Sequence, residues 1–271
     1  MGKRIVVGVL LAALFVAVLY FSGIVQGVAL TLFALLSVHE MGGVYRAKGV
    51  SPFLWSAYAF AALFYAARAF LGAPAQIALF FLCVFAVFAE RVFNKNRNTQ
   101  DTLLSLAVFV YPLALYAILI ENVANPDYAF SRTAMFLMFA GPLLGDTFAY
   151  FFGTFFGKRK LCPHLSPNKT VAGSIGGLVG GIVGGLLSYY VQLLFHGAFP
   201  LHHMLILGLL MGATGQIGDL FASSVKRWAQ VKDFGRIFPG HGGTLDRLDS
   251  VLMCAPMAYV YFSLICGIQV W

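Results

Sequence analysis

The sequence predicts an all-α, polytopic membrane protein of about nine transmembrane helices with its N-terminus in the cytoplasm. Three observations carry this. Of 271 residues, 60% are hydrophobic and only 10% are charged, against about 25% charged in a soluble domain. Mean hydropathy is +0.84. The apolar residues come in runs of roughly 17–25, the length that crosses a hydrocarbon core.

Taken in order, the first run, 5–21, follows Lys3 and Arg4 as a secretory signal would. It continues into a second run, 24–40, with no small-residue cleavage site, so it reads as a retained helix. Further helices are expected over 53–71, 74–90, 102–120, 132–156, 171–195, 202–222 and 248–270. Basic residues then fall on one face in five groups: Lys3 and Arg4; Arg46 and Lys48; Arg91, Lys95 and Arg97; Lys158, Arg159, Lys160 and Lys169; Lys226, Arg227, Lys232, Arg236 and Arg247. Of 18 lysines and arginines, Arg68 and Arg132 alone are left on the other face. The positive-inside bias makes the crowded face cytoplasmic. It also accounts for the net charge of +8 through anionic lipid rather than nucleic acid.

The chain divides into N-terminal transmembrane helices, 1–130, and a C-terminal transmembrane region, 131–271, whose loops 157–170 and 223–247 are cytoplasmic. Gly173, Gly177, Gly181 and Gly185 recur every fourth residue, with Gly176, Gly180 and Gly184 on the adjacent stripe. That spacing suits a helix packed closely on its neighbours, and it permits a homodimer. Cys83, Cys162, Cys254 and Cys266 form no C-x-x-C pair and read as small core residues.

Carboxylates inside membrane segments are costly and mark functional sites by default. Five stand out: Glu40 closes the second helix, Asp146 lies within the sixth, Asp219 lies near the inner end of the eighth, and Asp246 and Asp249 open the ninth. Asp219, Ser223 and Lys226 share one helical face, as do Asp246 and Asp249. If the eighth and ninth helices are neighbours, Asp219 and Asp246 converge. Such carboxylates repel unless a cation sits among them, and Mg²⁺, shared with substrate phosphates, is the natural choice. An internal salt-bridge network is the alternative. Between the helices, Pro239 fixes the entry to a turn in which Gly242 and Gly243 let the backbone approach a ligand. His241 is a candidate acid or phosphate donor. The loop FGKRKLCPHLSPNKT offers Lys158, Ser166, Lys169 and Thr170 to a phosphate, although it is not a P-loop.

The stretch Ser223–Asp249 resembles the signature of the phosphatidate cytidylyltransferases (CDP-diacylglycerol synthases). The matching residues are Ser223, Val225, Lys226, Arg227, Lys232, Asp233, Gly235, Pro239, His241, Gly242, Gly243, Asp246, Arg247, Leu248 and Asp249. Thr244 stands where the family usually has an apolar residue. Upstream, Asp146–Gly153, Phe156–Lys158 and Ser166–Thr170 also resemble the family's nucleotide-side segment. Val171, Ala172 and Gly173 replace a usual Trp-Glu-Gly, so that glutamate's role does not transfer.

The resemblance implies a membrane nucleotidyltransferase of phospholipid biosynthesis, using CTP and phosphatidic acid to give CDP-diacylglycerol and pyrophosphate. It implies a divalent metal, with room for a second cation, on Asp219, Asp246 and Asp249. Lys226, Arg227 and Arg247 would bind phosphates, and Asp146 and Lys169 would position the nucleotide or the metal. A multi-pass place in the cell membrane, with the active site facing the cytoplasm, follows. Two other classes compete: an ion-coupled carrier, which intramembrane acids and glycine-broken helices would suit, and a CTP-dependent polyprenol or phytol kinase, which would release CDP instead of pyrophosphate.

Overall fold

The computed structural model describes residues 2–268. Among these residues the chain forms nine helical rods, and we number them α1 (Gly2–Phe21), α2 (Ile24–Ala47), α3 (Trp55–Leu71), α4 (Ala73–Phe93), α5 (Thr99–Val123), α6 (Tyr128–Phe156), α7 (Val171–Leu194), α8 (Leu201–Ala229) and α9 (Leu245–Ile265). Seven of them are long and apolar enough to cross a membrane, and α3, with 17 residues, is shorter. The outer surface is oily: Phe70, Phe93 and Leu194 stand largely exposed, as lipid-facing side chains do.

Several rods outrun the expected spans. The second continues past 40 to Ala47 because Met41, Val44 and Tyr45 are buried there. The eighth continues past 222 to Ala229, with Ala229 buried and Lys226 and Arg227 in its last turn, where cations suit the helix dipole. The sixth starts early because Asp127 accepts from Ala129 N and Phe130 N as its cap. The loop 157–170 carries a short antiparallel hairpin, β1 (Lys160–Cys162) with β2 (Ser166–Thr170), that the hydropathy pattern did not foretell.

The glycine stripes set the packing of α7. Gly177, Gly181 and Gly185 meet α8 at Gln216, Gly212, Gly208 and Met204. Gly176, Gly180 and Gly184 meet α6 at Phe152, Phe148, Leu144 and Gly141. A β-carbon at most of these positions would collide with the neighbouring backbone or side chain. Both stripes are therefore covered within the chain.

The two parts of the chain interlock. Asn122 Nδ2 donates to Ala255 O at 3.0 Å, and Ser131 Oγ donates to Gln26 Oε1 at 2.5 Å. The polar loops gather at one end of the bundle. There Tyr45 meets Trp228 edge-on, Ser51 N donates to Asp101 Oδ1, and Arg227 reaches Leu165 O. At the other end Arg68 pairs with Glu121, and Arg132 donates to Tyr20 O. All four cysteines are free.

Candidate active site

The site is built where the last turn of α8, the loop after it and the first turn of α9 come together. Gln230 adopts a left-handed conformation that ends α8. The loop then folds on itself. Phe238 N donates to Gly242 O at 3.0 Å and His241 N donates to Phe238 O at 2.8 Å, a tight turn made possible by Gly240 (φ 79°) and Gly242 (φ 81°). Asp246, in the first turn of α9, ties this loop down. Its Oδ2 accepts from Phe234 N at 2.8 Å and Gly243 N at 2.9 Å, and its Oδ1 accepts from Lys226 Nζ at 2.8 Å. Lys226 also lies over the Phe234 ring at 5.3 Å.

Glu40 reaches the same place from α2. Its carboxylate is 3% exposed and accepts from Thr244 N at 2.7 Å and Leu245 N at 2.9 Å. It thus satisfies orphan donors at the N-terminus of α9 and places a negative charge at the positive end of the helix dipole. Gly235 and Gly243 pack against this carboxylate, with no room for a β-carbon. The sequence marks Glu40 as an acid in an apolar run, but nothing in it names a partner 204 residues away.

Three carboxylates from three helices act on one another electrostatically: Asp146 of α6, Asp219 of α8 and Asp249 of α9. Lys169, at the end of the hairpin, forms an ion pair with Asp219 and is also felt by Asp146. Lys226 is felt by Asp249. Asp249 is 7% exposed and its Oδ1 accepts from Ser250 N at 2.7 Å.

A cavity of about 590 Å³ adjoins Asp146 and Asp249. Asp146, Asp246, Arg247 and Asp249 line one part of it. Residues of α1, α2 and α6, such as Phe15, Phe33 and Met135, make the rest apolar.

The remaining sequence-derived candidates are distributed as follows. Arg247 is exposed and lines the cavity. Arg227 is exposed beside the hairpin, its Nε 3.5 Å from Leu165 O. Lys158 is exposed and Ser166 opens β2. Ser223 is half-buried one turn after Asp219. His241 has a buried Nδ1 with no hydrogen-bond partner among the described residues. Gly242 and Gly243 sit against Asp246 and Glu40. Thr170 is buried, and its Oγ1 accepts from Gly173 N at 3.0 Å as the N-cap of α7, a structural use that spacing alone did not reveal.

Among the described residues no three His, Cys, Asp or Glu side chains close around a single point. The donor set nevertheless suits a hard cation. Its ligands are carboxylate oxygens, and Mg²⁺ commonly keeps positions open for water and substrate phosphates. An ionised carboxylate offers about four lone-pair positions. Asp246 uses three of them here, which leaves one on Oδ1, and it lines the same cavity as Asp146 and Asp249.

Comparison with known proteins bears on this arrangement. A model of the cytidylyltransferase family matches residues 2–265. The phosphatidate cytidylyltransferase of Bacillus subtilis (strain 168) is 34% identical over 192 residues, covering 70% of this chain and 68% of that protein. Those of Staphylococcus aureus (strain COL) and Staphylococcus haemolyticus (strain JCSC1435) are 41% and 42% identical over 116 residues, 42% of this chain and 43% of each relative.

Proposed function

The chain belongs to the cytidylyltransferase family, and from that premise we infer its reaction: transfer of the CMP moiety of CTP to phosphatidic acid, giving CDP-diacylglycerol and pyrophosphate, a step of phospholipid biosynthesis. The observation that carries this is the joining of an apolar cavity to a charged centre in which aspartates from three helices face Lys169 of the hairpin and Lys226 of the last turn of α8.

In this reaction a phosphatidate oxygen attacks the α-phosphorus of CTP, and the bond from that phosphorus to the bridging oxygen of the β-phosphate breaks. Phosphatidate arrives ionised, so no protein nucleophile is needed. Both reactants are anions, so charge neutralisation and positioning dominate catalysis. The apolar wall takes the acyl chains and leaves the lipid phosphate beside Arg247. Lys169, Lys158 and Arg227, around the hairpin, face the triphosphate. Lys226 neutralises the phosphate that approaches Asp246, and the Nδ1 of His241 is free to hold another phosphate oxygen. Ser223 and the amides of Gly242 and Gly243 border the same space.

Asp219, Asp246 and Asp249, with Asp146 facing them, are the residues we assign to a divalent cation, Mg²⁺ by its preference for oxygen, with a second cation accommodated. Bound there, such an ion supplies charge neutralisation for the attacking and leaving oxygens. Lys169 and Lys226 serve as counter-charges to Asp219 and Asp246. The positive-inside distribution supports a cell-membrane protein whose polar loops face the cytoplasm, where CTP is made.

The test is incubation of the purified protein with CTP labelled at the α-phosphate, Mg²⁺ and phosphatidic acid, followed by separation of products. Label should appear in CDP-diacylglycerol, with pyrophosphate released. Release of CDP with phosphorylation of a lipid alcohol would overturn the assignment.

A further inference from the structure

The fifth rod is interrupted where it passes the site. Its helix runs from Thr99 to Val108, breaks at a kink that contains Pro112, and resumes at Leu115. Tyr111 lies in the break with an extended backbone (φ −136°, ψ 114°). The ring of Tyr111 packs edge-on against Phe221 of α8, with centroids 4.8 Å apart. The residue is 6% exposed.

Its hydroxyl has no hydrogen-bond partner among the described residues. The charged groups that act on it are Asp249 first and then Asp246, and it bonds to neither. A buried hydroxyl with no partner costs stability that a phenylalanine would not. Each such group in a folded protein calls for an explanation, and a ligand is one. Here the hydroxyl is buried within the electrostatic reach of two of the aspartates, and its ring is fixed on α8 at Phe221, two residues from the third, Asp219.

We propose that the Tyr111 hydroxyl is a substrate-binding donor of the active site, which hydrogen-bonds an oxygen of a bound phosphate once the centre is loaded. The assignment rests on the reaction inferred above and adds to it a residue from the N-terminal part of the chain, outside the Ser223–Asp249 signature. The phosphate belongs either to CTP or to phosphatidate, and one variant separates them.

Tyr111→Phe removes the oxygen and keeps the ring. Initial rates should be measured with each substrate varied in turn, and thermal unfolding with no substrate, with Mg²⁺ and CTP, and with phosphatidate. The expected result is a fall in kcat/KM of about tenfold to a hundredfold, the worth of one hydrogen bond to a charged group. The unliganded Tm should stay equal or rise. The stabilisation given by one substrate should shrink, and that substrate carries the bonded phosphate. A variant with wild-type rates overturns the proposal. So does a lower rate accompanied by a lower unliganded Tm, which marks a packing role. If the wild-type protein itself forms no CDP-diacylglycerol, the inferred reaction fails instead, and the two thermal shifts still decide whether the hydroxyl meets a phosphate.

Discussion

Replacing Glu40 by glutamine should loosen the whole site from a distance. The Glu40 carboxylate holds two backbone amides, Thr244 N at 2.7 Å and Leu245 N at 2.9 Å, in a buried setting at the start of α9. Hydrogen bonds to a charged group are worth about 1.5–3 kcal/mol each. Glutamine keeps one acceptor oxygen but turns an NH₂ group toward the other amide, so one bond is lost and the other becomes neutral. Relief of a buried charge offsets part of the loss. The net cost is about 3 kcal/mol, or roughly 6–12 °C in Tm. Because Asp246 follows Leu245 directly, catalysis should fall as well. Trp228, packed on Tyr45 of α2, gives a fluorescence signal for the melt, and product formation gives the rate. Unchanged Tm and unchanged rate in this variant would show that Glu40 does not anchor the helix, and the reasoning about the site's support would fail.

Two further variants separate packing and capping from chemistry. Thr170→Val should lower stability by about 1 kcal/mol through loss of the α7 cap while the KM for CTP stays unchanged; a raised KM at constant Tm would instead put the hydroxyl on the nucleotide. Gly181→Leu drives a side chain into the α8 backbone at Gly208 and Gly212, so the purified protein should melt well below wild type or fail to fold; a wild-type melting curve would contradict the close packing.

The rods were legible in the sequence because apolar runs of membrane length leave little choice of secondary structure. Their ends were less so. The apolar runs end before the charges, yet α2 runs on through Arg46 and α8 through Lys226 and Arg227, since those turns still bury Tyr45 and Ala229. The glycine stripe was legible because a repeat of four on a helix has one ready physical use. The acids were legible as costly groups in an oily chain. Their partners were not: Glu40 on the α9 amides, Lys169 on Asp219, and Tyr111 beside Asp249 all join residues far apart in the chain. Spacing suggests that Asp219 and Asp246 converge if their helices are neighbours, but it could not show that Asp246 already holds the loop with three hydrogen bonds.

The central claim is that aspartates of α8 and α9 hold one divalent cation between them. Mn²⁺ titration followed by electron paramagnetic resonance tests it with no substrate and no turnover. The wild-type protein should bind Mn²⁺, and Asp219→Asn, at unchanged Tm, should weaken that binding at least about tenfold, since losing even a residue that only supports a metal ligand costs about that much. Equal Mn²⁺ affinity in the two proteins would contradict the account.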